Sequence, residues 1–484
     1  MSWETDKQNE IYDLVMEMRK RGCRMTRRDV LRLGAFAGLS VTGILPLLTA
    51  CGPSTSGTPA AGGSSARTPE PTPVRVAGEE NAQLTYWGAW GGTALNAEKL
   101  SVDKWNRLHP DMKVKALSVN DIDQKFLVAV AGRRPPDIIK LDRFMLPGYA
   151  LSGAIQDLTD RINSDNIDVN QWFKACMDET KLNGKYYGLP WNTDDRGLWY
   201  NKEILEKEGI KEPPKDTDEL RLMGKELTQR QGNRLKRIGF DGYGGNWQIG
   251  WHWAWGGEWL KDNNRRANWN NEIGEAWLTW LAENKKDLGG QQAVDVLSRS
   301  FQGEAQGPYW RGQIVMVCDG NWVAGDWKRY APNVDMGVVP VPRPKEMQDK
   351  GPITWSGGFA FCLPEGVSDE KADAAWEFIK FKCTDEEVVL ALARDTGQMP
   401  AIERLARDER YLSANKFNKT FVDLMPYSRF RDLTPVGQEL WFDIIWPMPN
   451  DVFYGKKTVK QALADSEEKA NKVLDRGWKE VERG

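Results

Sequence analysis

Tryptophan is concentrated in one short stretch of this sequence, residues 240–260, which also contains paired glycines. The stretch holds Trp247, Trp251, Trp253, Trp255 and Trp259. An indole ring offers a broad, rigid apolar face and one N–H donor. Beside flexible Gly-Gly steps, such rings suit stacking on a ligand that is apolar on its face and hydroxylated at its rim, as a sugar ring is. For any single tryptophan, a position in the core is the alternative.

Composition argues against several other kinds of site. The chain has two histidines, His109 and His252, which disfavours a His-rich metal site and Ser-His or Cys-His catalysis. Its 66 basic residues nearly balance 69 acidic ones, for a net charge of -3, so nothing points to nucleic acid. The glycines at 242–245 lack the third glycine and the setting of a dinucleotide fingerprint. We therefore expect no metal, no cofactor and no nucleic acid partner.

Carboxylates are the remaining groups that could do chemistry. Asp194 and Asp195 are neighbours, and adjacent side chains in an extended segment point to opposite sides. A glycosidase needs two carboxyl groups about 5 to 10 Å apart across one bond, so either aspartate would need a distant partner such as Glu258 or Asp319. A secreted, lipid-anchored, carbohydrate-active hydrolase that uses two carboxylates therefore stays open as the alternative function.

The N-terminus carries an export pattern. Arg27 and Arg28 precede an uncharged run at 33–50, and the sequence Leu-Thr-Ala-Cys ends at Cys51. A basic segment, an apolar run and small residues before the break predict an export signal of the twin-arginine type over residues 1–50. Leu-Thr-Ala-Cys resembles a bacterial lipoprotein box, which would leave Cys51 lipidated. An uncleaved membrane anchor is the alternative, because about 18 apolar residues can just span a bilayer.

The segments on either side of the export pattern differ in composition from a folded domain. Residues 1–24 are polar and precede the signal, so Met25 is an alternative start of translation. Nearly every residue at 52–73 is Gly, Pro, Ser, Thr or Ala, a composition that cannot bury a core. Residues 51–83 are therefore expected to form a flexible tether.

Four further cysteines follow Cys51. They are Cys176, Cys318, Cys362 and Cys383. Their wide, irregular spacing predicts neither a disulfide framework nor a metal site. Disulfide pairing and free buried thiols both remain open.

Strand and helix patterns alternate from residue 84 onward. Strand candidates lie at 84–88, 113–119 and 137–141, with helical patterns between them at 97–108 and 121–131. This order predicts parallel βαβ units in an open α/β sheet. Because ligands of such sheets lie beyond the carboxyl ends of the strands, Trp90, Asp142 and Arg143 are candidate binding residues.

Three segments carry a resemblance to a known family. They are Asp137-Ile-Ile-Lys-Leu-Asp-Arg-Phe144, Leu198-Trp-Tyr-Asn-Lys202 and Gly312-Gln-Ile-Val-Met-Val-Cys-Asp-Gly-Asn-Trp322. In this order they resemble segments of the extracellular solute-binding proteins of ABC importers, family 1, whose best-known members bind maltose and other sugars. The resemblance extends over most of the chain beyond residue 83.

The resemblance implies both a fold and a function. The fold is α/β, of the two-lobe periplasmic-binding-protein type, with discontinuous lobes joined by a hinge. The first lobe is expected to comprise 84–190 plus 356–400, and the second 191–355 plus 401–484. The implied function is a monomeric, lipid-anchored binding protein, not an enzyme, at the outer face of the cytoplasmic membrane. It would capture a carbohydrate and deliver it to an ABC permease driven by a cytoplasmic ATPase.

Polar binding roles follow from the resemblance residue by residue. Asp142 and Arg143 correspond to residues that hydrogen-bond sugar hydroxyls from the first lobe. Asp194 lies where a relative has a ligand-binding glutamate just past the crossover between lobes. Hydrogen bonds from charged groups are stronger than neutral ones, at about 1.5 to 3 kcal/mol each, so they can offset the loss of water from the hydroxyls.

The tryptophans divide into predicted ligand contacts and predicted core residues. Trp322 and Trp441 correspond by resemblance to stacking tryptophans, and Trp247 and Trp251 lie in a loop that supplies further aromatic contacts. The remaining tryptophans of the 240–260 stretch are expected in the core of the second lobe: Trp253, Trp255 and Trp259. The complete predicted ligand-binding set is Trp90, Asp142, Arg143, Asp194, Trp247, Trp251, Asp319, Trp322, Trp355 and Trp441.

The lipid prediction has a direct test. Replacing Cys51 by alanine removes the acceptor, and several acyl chains hold a protein at a bilayer whereas one binds only marginally. We expect the wild type to fractionate with membranes carrying lipid on Cys51, and Cys51→Ala to lose the lipid and to be processed differently. Mass spectrometry of the N-terminal peptide is the measurement, with Cys23→Ala as the matched control. Lipid-free wild-type protein in the membrane fraction would contradict the prediction.

Overall fold

The computed structural model describes residues 73–89, 94–301 and 307–482. The predicted export signal, the lipidated Cys51 and the binding role of Trp90 lie outside the described residues. Within the described part of the chain, no helix has the length and apolar character needed to cross a bilayer.

Helices and strands alternate along most of the described chain. The strands are β1 (Val74–Ala77), β2 (Leu84–Gly88), β3 (Val114–Ser118), β4 (Ile138–Asp142), β5 (Lys181–Leu182), β6 (Lys185–Tyr186), β7 (Leu189–Pro190), β8 (Asn192–Thr193), β9 (Arg196–Asn201), β10 (Gln229–Gln231), β11 (Arg234–Phe240), β12 (Leu260–Lys261), β13 (Arg266–Ala267), β14 (Ile314–Gly320), β15 (Met336–Val339), β16 (Thr354–Trp355), β17 (Phe359–Cys362), β18 (Met399–Pro400) and β19 (Ser428–Arg429). The α-helices are α1 (Ala94–Leu108), α2 (Ile122–Ala131), α3 (Leu146–Leu151), α4 (Thr159–Ser164), α5 (Lys174–Asp178), α6 (Lys202–Lys207), α7 (Thr217–Leu227), α8 (Gly250–Ala254), α9 (Glu272–Asp287), α10 (Gln291–Ser298), α11 (Val323–Tyr330), α12 (Asp369–Thr384), α13 (Glu386–Thr396), α14 (Glu403–Ala406), α15 (Glu409–Leu412), α16 (Asn418–Leu424), α17 (Met448–Phe453) and α18 (Val459–Val481). Shorter 3-10 turns lie at Arg143–Met145, Val169–Gln171, Lys345–Lys350 and Met425–Tyr427, and Glu439–Ile445 is a π-helix.

The first lobe is built on a sheet with the strand order β1-β3-β2-β4-β17-β7. Strands β2, β3 and β4 run parallel, as the alternating pattern predicts. Strand β17 returns from much later in the chain and pairs antiparallel with both β4 and β7. The carboxyl end of β4, at Asp142, therefore lies beside the point where β17 enters the sheet.

Strand β1 corrects the predicted extent of the tether. The sequence predicts a tether through residue 83, but Val74–Ala77 pairs antiparallel with β3, with Val74 opposite Ser118. The two valines of this segment favour extended, paired backbone. Among the described residues, the fold therefore already includes Val74 and does not begin at Leu84.

The second lobe is built on a sheet with the strand order β10-β11-β14-β9-β15. Strands β11 and β14 are parallel, and β9 lies antiparallel between β14 and β15. Nearly every residue of β9 and β14 is buried, because both faces of the sheet are covered. This explains why β14 has the continuous apolar sequence typical of a doubly covered strand.

The chain crosses between the two sheets more than once, so both lobes are discontinuous in sequence. Short strand pairs join the crossings: β8 with β18, and β16 with β19. We call residues 189–196, 354–359 and 428–431 the hinge region. The predicted two-lobe α/β fold is confirmed.

The buried imidazole of His252 makes the stability of the second lobe depend on pH. Its Nε2 lies 3.1 Å from the Glu258 carbonyl oxygen, and its ring packs on Trp259 with centroids 4.5 Å apart. Burial lowers the pKa of His252 to about 4, against about 6.5 in an unfolded chain. Between these values the unfolded state binds more protons. The stability that neutral His252 contributes is therefore present above about pH 6.5 and lost as the pH falls toward 4.

We expect the melting temperature of the wild type to fall more steeply between pH 6.5 and 4 than that of His252→Gln. The contribution lost amounts to about 3 kcal/mol for the full shift. Calorimetry across this range is the measurement, and His109→Gln, which removes an exposed imidazole, is the control. Equal slopes for the wild type and His252→Gln would contradict the assignment.

Candidate functional site

The candidate site lies between the lobes, where the segments of the hinge region meet the carboxyl end of β4. Side chains and backbone join these segments. Thr193 Oγ1 and Ser356 Oγ are 2.8 Å apart, and the Gly357 N–H donates to Asp194 Oδ1 at 2.8 Å. Because buried polar groups need partners, these bonds hold the segments in one arrangement beneath the site.

Arg143 ties the first lobe to the hinge region. Its Nε donates to Glu179 Oε2 at 2.9 Å, one terminal nitrogen donates to the Gly357 carbonyl at 2.5 Å, and the other donates to the Asn192 carbonyl. Burial raises the pKa of Glu179 to about 7, although Arg143 opposes the shift. Each nitrogen of the fully buried guanidinium thus has a protein partner. This corrects the predicted hydrogen bond from Arg143 to a ligand: the residue positions the hinge region instead.

Gly358 is required where the hinge region passes Arg143. Its φ is +131°, a conformation that side chains rarely adopt, and a Cβ added there would overlap the Arg143 guanidinium and the Asn192 carbonyl. Glycine alone tolerates both conditions. The close approach lets the Gly358 carbonyl accept from the Arg143 N–H at 3.0 Å.

Two arginines that no sequence pattern singled out pair with two of the predicted carboxylates. Arg431 lies 2.8 Å from Asp142 Oδ1, and Arg196 bonds Asp194 Oδ1. Both guanidinium groups are buried, and burial raises the pKa of Asp142 although Arg431 opposes it. The Asp142 side chain keeps 24% of its surface exposed, so it remains accessible from the cleft.

The same two guanidinium groups lie on aromatic rings. Arg196 is 3.4 Å from the ring centroid of Trp355 and 5.0 Å from that of Trp322, and Arg431 is 3.5 Å from that of Phe144. Desolvated cation–π contacts are worth about 2 kcal/mol. Trp355, which we expected to contact a ligand, is buried beneath Arg196. Trp322 keeps part of its ring exposed.

Three of the predicted stacking tryptophans lie in the core of the second lobe instead. Trp247, Trp251 and Trp441 have no exposed surface. Trp251 packs against Trp247 with centroids 6.0 Å apart, and Trp441 packs against Trp259 at 5.9 Å. Rings enclosed by other rings offer no face to a ligand, so the burial of apolar area decides their position. As expected, Trp253 and Trp259 are also buried, while Trp255 is partly buried against the same core.

Phe442 and Trp446 are aromatic residues near the cleft that the sequence did not indicate. Phe442 is 40% exposed and stacks on Trp446 with centroids 5.4 Å apart. It also meets Phe144 of the first lobe edge-on at 5.6 Å. The π-helix turns Trp441 inward and its neighbour Phe442 outward. The outward aromatic residue is therefore one position later than the resemblance implies.

Arg196 and Arg431, which no sequence pattern singled out, differ in how far the sequence could have indicated them. Arg196 directly follows Asp194 and Asp195, so a search for a counter-ion beside the acidic pair would find it. Arg431 lies 289 residues from its partner Asp142, and no local pattern connects them. Such a pair becomes visible only once the lobes are assembled.

The remaining predicted polar groups have structural partners as well. Asp319, at the end of β14, accepts from Tyr309 Oη at 3.0 Å, and burial raises its pKa to about 6. The cysteines are free buried thiols rather than disulfides: Cys176, Cys318, Cys362 and Cys383. In the described part of the chain no three His, Cys, Asp or Glu side chains converge as metal ligands.

The carboxylates considered for hydrolysis are engaged in other contacts. Asp194 pairs with Arg196, and Glu258 pairs with Arg429. Asp195 accepts from Ser428 Oγ at 2.6 Å, and burial raises its pKa well above the usual range. The arrangement offers hydrogen bonds and aromatic surface to a ligand, which is the chemistry of binding.

Two α/β lobes joined by several crossings at a hinge region define the fold of the periplasmic binding proteins. The model of one family, described as bacterial extracellular solute-binding protein, matches residues 101–419. The chain belongs to this family, which confirms the resemblance seen in the sequence. Membership confirms the predicted location outside the cytoplasm, and it agrees with the expectation of a binding protein rather than an enzyme.

Similar proteins are found among both curated sequences and solved structures. The chain is 26% identical to the diacetylchitobiose binding protein DasA of Streptomyces coelicolor over 339 residues, which is 66% of this chain and 74% of that protein. It is 21% identical to the maltotriose-binding protein of Pyrococcus abyssi over 342 residues, 68% of either chain. The GacH receptor of Streptomyces glaucescens has a TM-score of 0.69 at 20% identity, covering 81% of this chain and 98% of that one. The structural likeness supports the two-lobe fold.

The division of the tryptophans into core and cleft predicts different stabilities for two variants. Trp251→Ala should lower the free energy of unfolding by about 3 to 5 kcal/mol, because it leaves a cavity among packed rings. Trp322→Ala, which removes a partly exposed ring, should cost clearly less. Denaturant unfolding of the unliganded variants measures both. A larger loss for Trp322→Ala than for Trp251→Ala would show that the division is wrong.

Proposed function

We propose that this protein captures a carbohydrate between its lobes and delivers it to an ABC permease. The observation that carries the proposal is the cluster of side chains where the two lobes meet in the hinge region. There, buried ion pairs reach the surface at Asp142, and exposed aromatic surface lies beside them at Trp322 and Phe442. Relatives named for diacetylchitobiose, maltotriose and lactose support a carbohydrate ligand.

The chemistry of the cleft suits a ring with hydroxyl groups. The Asp142 carboxylate accepts from hydroxyls, and the guanidinium groups of Arg196 and Arg431 donate to hydroxyl and ring oxygens. Charge-assisted hydrogen bonds compensate for the water that such a ligand loses. The apolar face of the sugar ring would lie on an indole or phenyl ring.

Contacts between the two lobes lie beside this cluster. The Phe144 ring meets Phe442, and a Cβ added at Gly148 would lie 3.1 Å from the Pro435 carbonyl oxygen. Hinge rotation that brings two lobes together around a ligand is a common binding motion. The closed lobes would present the surface that a permease recognises, while lipid on Cys51 keeps the protein near the bilayer.

A ligand panel tests the proposal. Maltotriose, mannotriose, diacetylchitobiose and lactose are titrated into the purified protein, and the melting temperature and the heat of binding are recorded. A sugar at about 100 times its dissociation constant should stabilise the protein by about 2.7 kcal/mol. Chromatography of the incubated sugars should show no hydrolysis products. Product formation would favour the hydrolase alternative, and the absence of stabilisation by any carbohydrate would contradict the proposal.

Trp322→Ala should weaken the affinity for a sugar that binds by about five- to a hundredfold, equivalent to about 1 to 3 kcal/mol of lost ring burial. The matched control is Trp478→Ala. Trp478 is also partly buried and lies under an arginine, Arg265, at 4.8 Å, but it belongs to helix α18 outside the cleft. Calorimetry measures the affinity of both variants for the sugar. Equal affinities of Trp322→Ala and Trp478→Ala would place Trp322 outside the binding surface.

A further inference from the structure

Several buried polar atoms of this region have no hydrogen-bond partner among the described residues. They are the donors Arg196 Nε, Arg431 Nε and Trp355 Nε1 and the carboxylate oxygens Glu179 Oε1 and Asp195 Oδ2. Both guanidinium groups lie within 5.5 Å of the Trp355 ring centroid, so the three donors belong to one small region. Buried polar groups normally have partners. A ligand whose groups both accept and donate hydrogen bonds, as hydroxyl groups do, matches this set.

The charges of the cleft, in contrast, are already compensated. Each of its arginines has a carboxylate of its own: Arg143 with Glu179, Arg196 with Asp194, and Arg431 with Asp142. Among the described residues, each of these three guanidinium groups therefore has a paired carboxylate that would compete with an additional anion.

The other ionisable groups nearby add no free cation. Burial raises the pKa of Asp195 well above the usual range, which favours its uncharged form. Asp319 is negative above its pKa of about 6, and it lies close enough to Arg196 to be affected by its charge. Burial lowers the pKa of Lys140 to about 8, and its Nζ donates to the Ala89 carbonyl at 3.0 Å while facing the rings of Trp191 and Phe359.

We infer that the ligand is an uncharged carbohydrate, whose hydroxyl, ring or amide oxygens accept from Arg196 and Arg431, and that the Asp142–Arg431 pair excludes acidic sugars. This inference rests on the proposed function. A uronate carboxylate would bring an unpaired charge beside ion pairs that are already complete. If it took Arg431 for itself, the partly buried Asp142 would be left without a counter-ion, which is also unfavourable. A neutral oxygen accepts the same hydrogen bonds without either cost.

The test uses matched sugars. Maltotriose, mannotriose, diacetylchitobiose and lactose are compared with the same sugars oxidised to a carboxylate at the terminal C6. Calorimetry is carried out with the full chain at pH 8, where Glu179, with its pKa of about 7, is ionised. We expect the wild type to bind a neutral sugar at least about tenfold more tightly than its acid. An acid that binds more tightly than its neutral counterpart overturns the inference and leaves the proposed function standing.

Charge variants show whether Asp142 sets the preference. Asp142→Asn keeps the shape of the side chain but leaves Arg431 without its anion, so the preference for the neutral sugar should shrink at least about fivefold. Arg431→Gln has the opposite effect on charge, because it leaves Asp142 without its cation, and it should enlarge the preference for the neutral sugar. This variant tests the ion pair if Asp142→Asn does not fold. The control is Asp373→Asn, an equal charge change at an exposed surface pair with Arg161, which should leave the preference unchanged.

The possible outcomes distinguish the role of the Asp142–Arg431 pair from the proposed capture of a carbohydrate. An unchanged preference in both Asp142→Asn and Arg431→Gln overturns the role of this ion pair. If no sugar binds, neutral or acidic, the proposed function fails and the inference fails with it.

Discussion

The arrangement of the cleft depends on one buried guanidinium. Arg143 connects Glu179 in the first lobe with the carbonyls of Asn192 and Gly357, which belong to two different crossings of the hinge region. Three strongly directional donors on a planar group fix two chain segments at once. The glycine at 358 allows the backbone to come this close. This connection acts together with the pairing of β17 with β4 and β7 to hold the hinge region against the first sheet.

Most of the tryptophans expected at a binding surface are core residues, and arginines that no sequence pattern singled out lie where the two lobes meet. The sequence suggests a binding surface made of indole rings, but most of those rings form the core of the second lobe. Where the lobes meet, buried guanidinium groups lie on aromatic rings, as Arg196 does on Trp355. A planar cation backed by an apolar ring has a rigid orientation, because the ring restricts its rotation while the carboxylate fixes its edge.

Local patterns predicted the fold well and the site only in part. The parallel strands β2, β3 and β4 and the position of Asp142 at a strand end both follow from neighbouring residues. Burial of Trp247, Trp251 and Trp441 could not be predicted, because it depends on helices from distant parts of the chain. The outward position of Phe442 depends on a π-helix, whose extra residue per turn rotates the face that a regular helix would present.

The first sheet also fixes the point at which the preceding chain joins the described fold. Strand β1 lies at the outer edge of that sheet and pairs with β3 alone. The chain that precedes Val74 is therefore joined to the first lobe at the edge opposite β7, where the hinge region begins. A change in the angle between the lobes would leave this point of attachment unchanged within the first lobe.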